Sequence, residues 1–351
     1  MNPLKLEPTL AEDLQSIVDE HADLYQHYTG KTVLVTGATG LIGHVLILAL
    51  LTANELLHTN IHILGVARNP QKANRIFDHL VERDDFELIF QEISAPIQTP
   101  HRLDFMFHTA AVTTSKLLVE KPVEAYVAQF LGMNQVLKRA QADQARVVYL
   151  SSMEIYGQPF VDRRATEADV GYVDPLVVRN GYPESKRSNE FLASAYSHEF
   201  GVSVVNARLA QTFGPGVAAD DTRVFAQFAR SAVAGEPLVL HTDGSSMGNY
   251  CYLRDTIAAL LLLGVKGITG ESYNVVNESN TVSIKALAEL VATHFGTGEV
   301  VIDIPGHDMG YAPKVQLRLS GQKLMQLGWQ PTADLVQMFT RTLKSWGTKN
   351  R

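Results

Sequence analysis

Cysteine is almost absent, since Cys251 is the only one in 351 residues. An internal disulfide is therefore excluded, and the composition fits a reducing compartment. For the lone thiol, a buried packing role is the ordinary one. Long apolar runs are missing too. The most hydrophobic stretches, residues 41–53 and 257–265, are too short to cross a bilayer and predict buried helices. The first thirty residues repeat Asp and Glu where a secretory signal has a basic head and an apolar stretch, so no signal and a cytoplasmic location are expected. Positive charge is not in excess: 30 Lys and Arg against 37 Asp and Glu leave a net −7. That speaks against nucleic-acid binding, yet a small anionic ligand needs only a local positive pocket. Internal repeats and low-complexity segments are also lacking.

What is present is alternation. Residues 8–28 place Leu10, Leu14, Ile17, Val18, Leu24 and Tyr25 on one helical face, predicting an amphipathic helical extension over 1–29. From Lys31, short apolar runs at 32–36, 61–66, 86–90, 104–107, 147–150 and 202–207 predict parallel strands buried on both faces. Helical patterns between them, clearest at 123–139 and 184–200, predict an α/β fold with a right-handed, doubly wound sheet over 30–207. Beyond about residue 208 the rhythm breaks into Gly- and Pro-rich loops, short strands and helices near 283–295 and 333–346. Residues 208–351 therefore predict a smaller lobe that binds substrate over the carboxyl edge of the sheet.

The first strand runs into Thr36-Gly37-Ala38-Thr39-Gly40-Leu41-Ile42-Gly43 and then an apolar helix. Gly37 permits a tight turn, Gly40 lets backbone approach a pyrophosphate, and Gly43 permits close helix–strand packing. The free N–H groups and dipole of the helix start then face the phosphates. Strand, loop and helix occur in the order a Rossmann-type dinucleotide site requires, which makes the glycine pattern informative. The second strand ends Ala67-Arg68. Ala67 cannot accept from an adenosine ribose hydroxyl, whereas Arg68 can hold a 2′-phosphate, so NADP is expected over NAD. Arg68 stacking on adenine or pointing to solvent is the other reading. Glu92 and Ile93, after the third strand, are expected near adenine, and Thr109, Ala110 and Ala111, after the fourth, near nicotinamide.

Ser152 follows the fifth strand, and Tyr182 and Lys186 lie four apart on one helix face. A phenol titrating near pH ~10 is a poor base at neutrality. A neighbouring ammonium favours the phenolate, and Ser152 can bond the same substrate oxygen. This trio suits removal of an alcohol proton while hydride departs to a nicotinamide.

Together with 151-SSMEIYG-157, 212-TFGPG-216, 250-YCYLRD-255, 273-YNV-275 and 327-LGWQP-331, these segments resemble the extended short-chain dehydrogenase/reductases of the nucleotide-sugar epimerase/dehydratase group. The likeness runs from about Lys31 to Pro331. It implies a retained NAD(P) that oxidises C4 of a hexose or uronic acid linked to a nucleoside diphosphate, and a homodimer paired through helices 123–139 and 184–200. It also puts Glu154 at the position of a carboxylate used by dehydratases and found in UDP-glucuronate decarboxylases. Departures narrow the chemistry. Met153 replaces the Asp that protonates a leaving hydroxyl, which disfavours dehydration. Gln211 and Gln129 replace customary Asn residues, and Gly248 a customary Arg, so Arg223 and Arg318 become the candidate cations for a diphosphate. The remaining outcomes are 4-epimerisation and uronate decarboxylation. Epimerisation is preferred because no residue marks a pocket for a sugar carboxylate. An NADP-dependent reductase of a non-nucleotide carbonyl and a catalytically silent cofactor-sensing regulator are the alternatives.

Overall fold

Short runs of Val, Ile, Leu and Phe build the central sheet, because branched and aromatic side chains suit a pleated surface covered on both sides. The computed structural model describes residues 4–113, 115–304 and 314–347. Strands β1 (Thr32–Thr36), β2 (His62–Ala67), β3 (Phe86–Phe90), β4 (Phe105–His108), β5 (Arg146–Ser152) and β6 (Val204–Leu209) follow one another along the chain. Then come β7 (Gln211–Phe213), β8 (Leu238–Leu240), β9 (Met247–Tyr252), β10 (Ser272–Val275), β11 (Thr281–Ser283) and β12 (Val300–Ile302). The main sheet has seven strands in the order β10-β6-β5-β4-β1-β2-β3, paired in parallel throughout. The order reverses between β1 and β4. Strands leave that point in opposite directions, which opens a crevice at their carboxyl ends.

Helices cover both faces. Leu41–Leu57 and Leu253–Lys266 pack on one side with the N-terminal helix Pro8–Glu20, and Pro122–Asp143 and Gly181–Phe200 on the other. The predicted strands and helices are present. The extension, however, is two helices rather than one: it breaks at His21 before the short Ala22–Gln26. Pro8 opens the first helix, and the Glu7 carboxylate accepts from the amides of Thr9 and Leu10 at 3.0 and 2.9 Å. Leu10, Leu14, Ile17 and Val18 are buried in the main core, so this segment is part of the domain.

The C-terminal lobe has its own core of Phe213, Phe225, Phe228, Tyr250, Leu287, Met338 and Phe339. Its boundary is not a single cut. After β7, β8 and β9, helix Leu253–Lys266 and β10 return to the main sheet. Trp329 docks the last loop there by donating to the Asp255 carbonyl, while the Asp255 carboxylate takes both the amide and hydroxyl of Thr332. Among the described residues no helix is long and apolar enough to cross a membrane.

Candidate active site

β1 and β4 end side by side at the crevice, and their last residues bond to each other. The Thr36 hydroxyl lies 2.8 Å from His108 Nδ1 and accepts from the Ala110 amide, while Thr109 donates to the Thr36 carbonyl at 2.6 Å. Gly37 begins the phosphate loop at φ +69°, and an added Cβ would sit 2.8 Å from the Ala110 backbone. A Cβ on Gly43 would overlap the Gly37 carbonyl oxygen. Both glycines are thus required by close packing of loop against loop. Gly40 caps the helix Leu41–Leu57 without a side-chain bond. No hydroxyl or carboxylate of its own covers that helix start, which fits a phosphate taking the amides there. Thr39, Leu41 and Ile42 are partly exposed around it. The Thr109 side chain is engaged with β1, so its part in a cofactor site is to hold the loop.

At the other end of this crevice, Arg68 and Glu92 are both exposed and lie 4.0 Å apart as an ion pair. Ile93 turns inward against Gly132 of the helix Pro122–Asp143, where an added Cβ would meet it at 3.0 Å. Packing, more than adenine contact, accounts for Ile93.

Ser152, Tyr182 and Lys186 meet where β5 ends. Ser152 caps the short 3-10 turn Met153–Tyr156 through the Glu154 amide and hydrogen-bonds the Tyr182 phenol. Tyr182 and Lys186 enter from the first turns of Gly181–Phe200. The Lys186 ammonium donates to the Leu150 carbonyl at 2.6 Å and lies 4.9 Å from the Tyr149 ring centroid and 5.8 Å from that of Tyr182. Burial brings Lys186 down to about 7, with Glu190 pulling the other way. Burial raises the Tyr182 phenol above its ordinary range, and Glu154 adds to this against the opposing effects of Ser152 and Arg179. The expected ammonium-driven lowering is therefore not found: the groups that lower the phenol are Ser152 and Arg179, and desolvation outweighs both. Beneath the trio, buried His108 stacks on Tyr149 and is held near 3 by burial and the Lys186 charge, hence neutral.

A cavity of about 600 Å³ opens beside the trio, between these turns and the C-terminal lobe. Met153, Glu154, Gln211 and Arg223 line it. Arg318 does not, which corrects the sequence expectation. Val315 and Leu317 face the cavity, and the alternation of extended backbone turns Arg318 to the surface, where it donates to the Asp162 carbonyl. Arg223 is half-exposed, forked onto Asp221 and 4.7 Å over the Phe225 ring. At Gly248, a Cβ would meet the Tyr250 ring at 2.7 Å, so Tyr250 fills the space a longer side chain needs. Gln129 is buried and donates to the Ala125 carbonyl within its own helix, and the Gln129 carbonyl accepts from Asn189.

Arg179 was not singled out in the sequence. It precedes Tyr182 by three residues, lines the cavity, and holds both Glu154 oxygens at 3.1 and 3.3 Å. Its spacing to Tyr182 is the only signal the sequence offers for it, and that signal gains meaning only once the turn Val178–Asn180 is seen to lie against Glu154.

The sequence profile of the NAD dependent epimerase/dehydratase family matches residues 33–276. UDP-glucuronic acid decarboxylase 6 of Arabidopsis thaliana is 30% identical over 250 residues, covering 71% of this chain and 69% of that protein. UDP-glucuronic acid decarboxylase 1 of Xenopus tropicalis is 27% identical over 315 residues, 89% of this chain and 71% of that one. Among solved structures, UDP-glucose 4-epimerase of Thermotoga maritima superposes with a TM-score of 0.75 at 20% identity, covering 91% of this chain and all of that one (100%).

Proposed function

Because this chain belongs to the NAD dependent epimerase/dehydratase family of extended short-chain dehydrogenase/reductases, we propose that it oxidises C4 of a sugar carried on a nucleoside diphosphate and that, when C5 bears a carboxylate, carbon dioxide is lost. The observation that carries this reading is the meeting of Ser152, Tyr182 and Lys186 beside a cavity whose lining includes the Glu154–Arg179 pair. NAD, held by the loop of Gly37, Gly40 and Gly43, would supply the acceptor and donor of the C4 hydride. Tyr182 takes the O4 proton while Ser152 bonds the same oxygen. The resulting C4 ketone is β to the C6 carboxylate, so the C5–C6 bond can break with its electron pair moving onto the C4 oxygen, where the Tyr182 phenol and Ser152 meet the charge. The C5 carbon then takes a proton from solvent, and as C4 regains its hydride Tyr182 returns the proton to O4.

This sequence needs no base at C5. That matters because Arg179 already occupies both oxygens of Glu154, the group best placed to remove a C5 proton. A sugar carboxylate entering the cavity would compete with Glu154 for the same arginine, the cation that the sequence reading lacked, and this moves the preference from 4-epimerisation to decarboxylation. A charged wall also suits an anionic sugar better than a steroid-like carbonyl compound. The decarboxylase relatives support the same direction.

Arg68 and Glu92 bear on the nucleotide. A 2′-phosphate at Arg68 would also meet the Glu92 carboxylate, while a ribose hydroxyl can donate to it. NAD is therefore the favoured cofactor, against the NADP expected from Arg68 alone. For assembly, we infer a homodimer through Pro122–Asp143 and Gly181–Phe200. Val123 and Phe191 are about three-quarters exposed, at 75% and 74%, and Val127, Phe130 and Leu131 lie open on the same pair of helices. Tyr126 and Tyr196 instead tie the two helices together through Ser188 and Asn134.

Incubation with UDP-glucuronic acid in deuterated water tests the reaction. The expected result is carbon dioxide release and one solvent deuterium at C5 of a pentose product. A C4-inverted sugar with conserved mass would replace decarboxylation by 4-epimerisation. No conversion across UDP-, dTDP-, CDP- and GDP-sugars would overturn the reading altogether.

A further inference from the structure

The amino edge of the sheet, opposite the active site, carries a second grouping of chemically capable residues. His62 opens β2, Glu87 is the second residue of β3, and His101 lies in the loop that leads into β4. The Glu87 Oε1 sits 2.8 Å from His62 Nε2 and 3.3 Å from His101 Nε2, and the two imidazoles meet edge to face at 4.5 Å between centroids. One ligating atom from each of the three lies within 4.8 Å of the other two, and among the described residues no other group of three His, Cys, Asp or Glu side chains converges this way.

We propose that His62, Glu87 and His101 form a binding site for a late first-row divalent cation, with zinc as its natural type. Two imidazole nitrogens and one carboxylate oxygen are a borderline-soft donor set of the kind zinc takes. Ligands bound at ~2.0–2.2 Å in a tetrahedron stand roughly 3.3 Å apart, so the His101–Glu87 spacing needs little change to admit an ion. His62 is partly buried, and Glu87 and His101 reach solvent, which leaves room for a water as fourth ligand.

The loop that presents His101 is fixed in advance. Arg139, itself paired with Asp143 at 2.7 Å, donates to the carbonyls of Ile97, Thr99 and His101 at 3.3, 3.3 and 2.6 Å. His62 and Glu87 stand on neighbouring strands in parallel register. The donor atoms are thus borne by rigid supports, which lowers the ordering cost of binding. The site joins three segments distant from Tyr182, so its action is on stability of the β2–β3 edge and not on the reaction.

Tag-free protein stripped by chelator and titrated with zinc tests this by calorimetry, with cobalt as the optical probe. One zinc per chain is expected, together with the strong visible bands of tetrahedral cobalt. His62→Gln and His101→Gln should each weaken zinc binding by at least about tenfold. Zinc should raise the Tm of the wild type and leave that of the double variant unchanged. Glu87→Gln, an exposed position, provides a variant that keeps the fold should a histidine replacement disturb it. Weak cobalt bands of octahedral type, uptake below one ion per chain, or zinc uptake undiminished in the double variant would each overturn the assignment.

Discussion

Tyr182 and Lys186 are each moved by burial in the direction that works against catalysis in the bare protein: the phenol upwards, the ammonium down to about 7. Tyr182→Phe keeps the ring and removes the proposed proton acceptor, so kcat is expected to fall by about 10²–10⁴ while retained NAD stays near wild type. Normal turnover by that variant would remove Tyr182 from the mechanism. Lys186 has a second, measurable effect. An unfolded chain holds the lysine proton up to about 10.4, so between roughly 7 and 10 the unfolded state binds more protons, and this group makes stability rise with pH. Lys186→Met abolishes that slope. Its stability relative to the wild type should therefore decline as pH climbs through this window, which urea unfolding at constant ionic strength can follow. A difference independent of pH would show that Lys186 is charged throughout. That Tyr182, Lys186 and Ser152 come together was readable from their types and spacing. Arg179 was not, since an arginine beside a helix start acquires a role only through the Glu154 it meets.

Elements were legible where hydrophobic period was strong. All six strands expected before residue 208 are present, but β10, only four residues long, was read as a motif and not as the seventh strand. Several segments that carried the family resemblance prove to be struts between elements. Tyr156 donates to Asn274, which joins the 3-10 turn after β5 to β10, and Trp329 joins the last loop to the helix Leu253–Lys266. The fate of Arg318 was hidden for a related reason: a sequence shows that a cation is near a motif, while the pleat decides which way it points. The phosphate loop gives the test at this scale. Gly37→Ala places a Cβ against Ala110 and forces alanine into a left-handed backbone. It should cost on the order of 1–3 kcal/mol and strip most of the bound NAD. Thermal melting and the cofactor content of the purified variant measure the two effects, and a variant with normal melting and full NAD would mean that β1 and β4 are not held at this spacing.

For the whole molecule, the open apolar stripe on helices Pro122–Asp143 and Gly181–Phe200 makes assembly the first thing to measure. Phe191→Glu puts a charge at its most exposed aromatic and should convert a dimer to monomers in light scattering. A wild type that is already monomeric at working concentration would end the dimer reading. The ends of the chain have a different consequence. Tyr28, buried under the sheet, donates to the carbonyl of Leu261, and Asp13 pairs with Tyr252 and with Arg341. The helix Pro8–Glu20 is thus tied to residues far along the chain, Tyr252 lying 239 positions from Asp13. Its apolar residues Leu10, Leu14, Ile17 and Val18 can meet the nearby helix Leu41–Leu57, but the polar clasp at Asp13 waits for the C-terminal lobe. Pairings of such long sequence separation form late and slowly, so the clasp of Asp13 to Tyr252 and Arg341 is expected to close among the last steps of folding, as a latch drawn across an already assembled sheet.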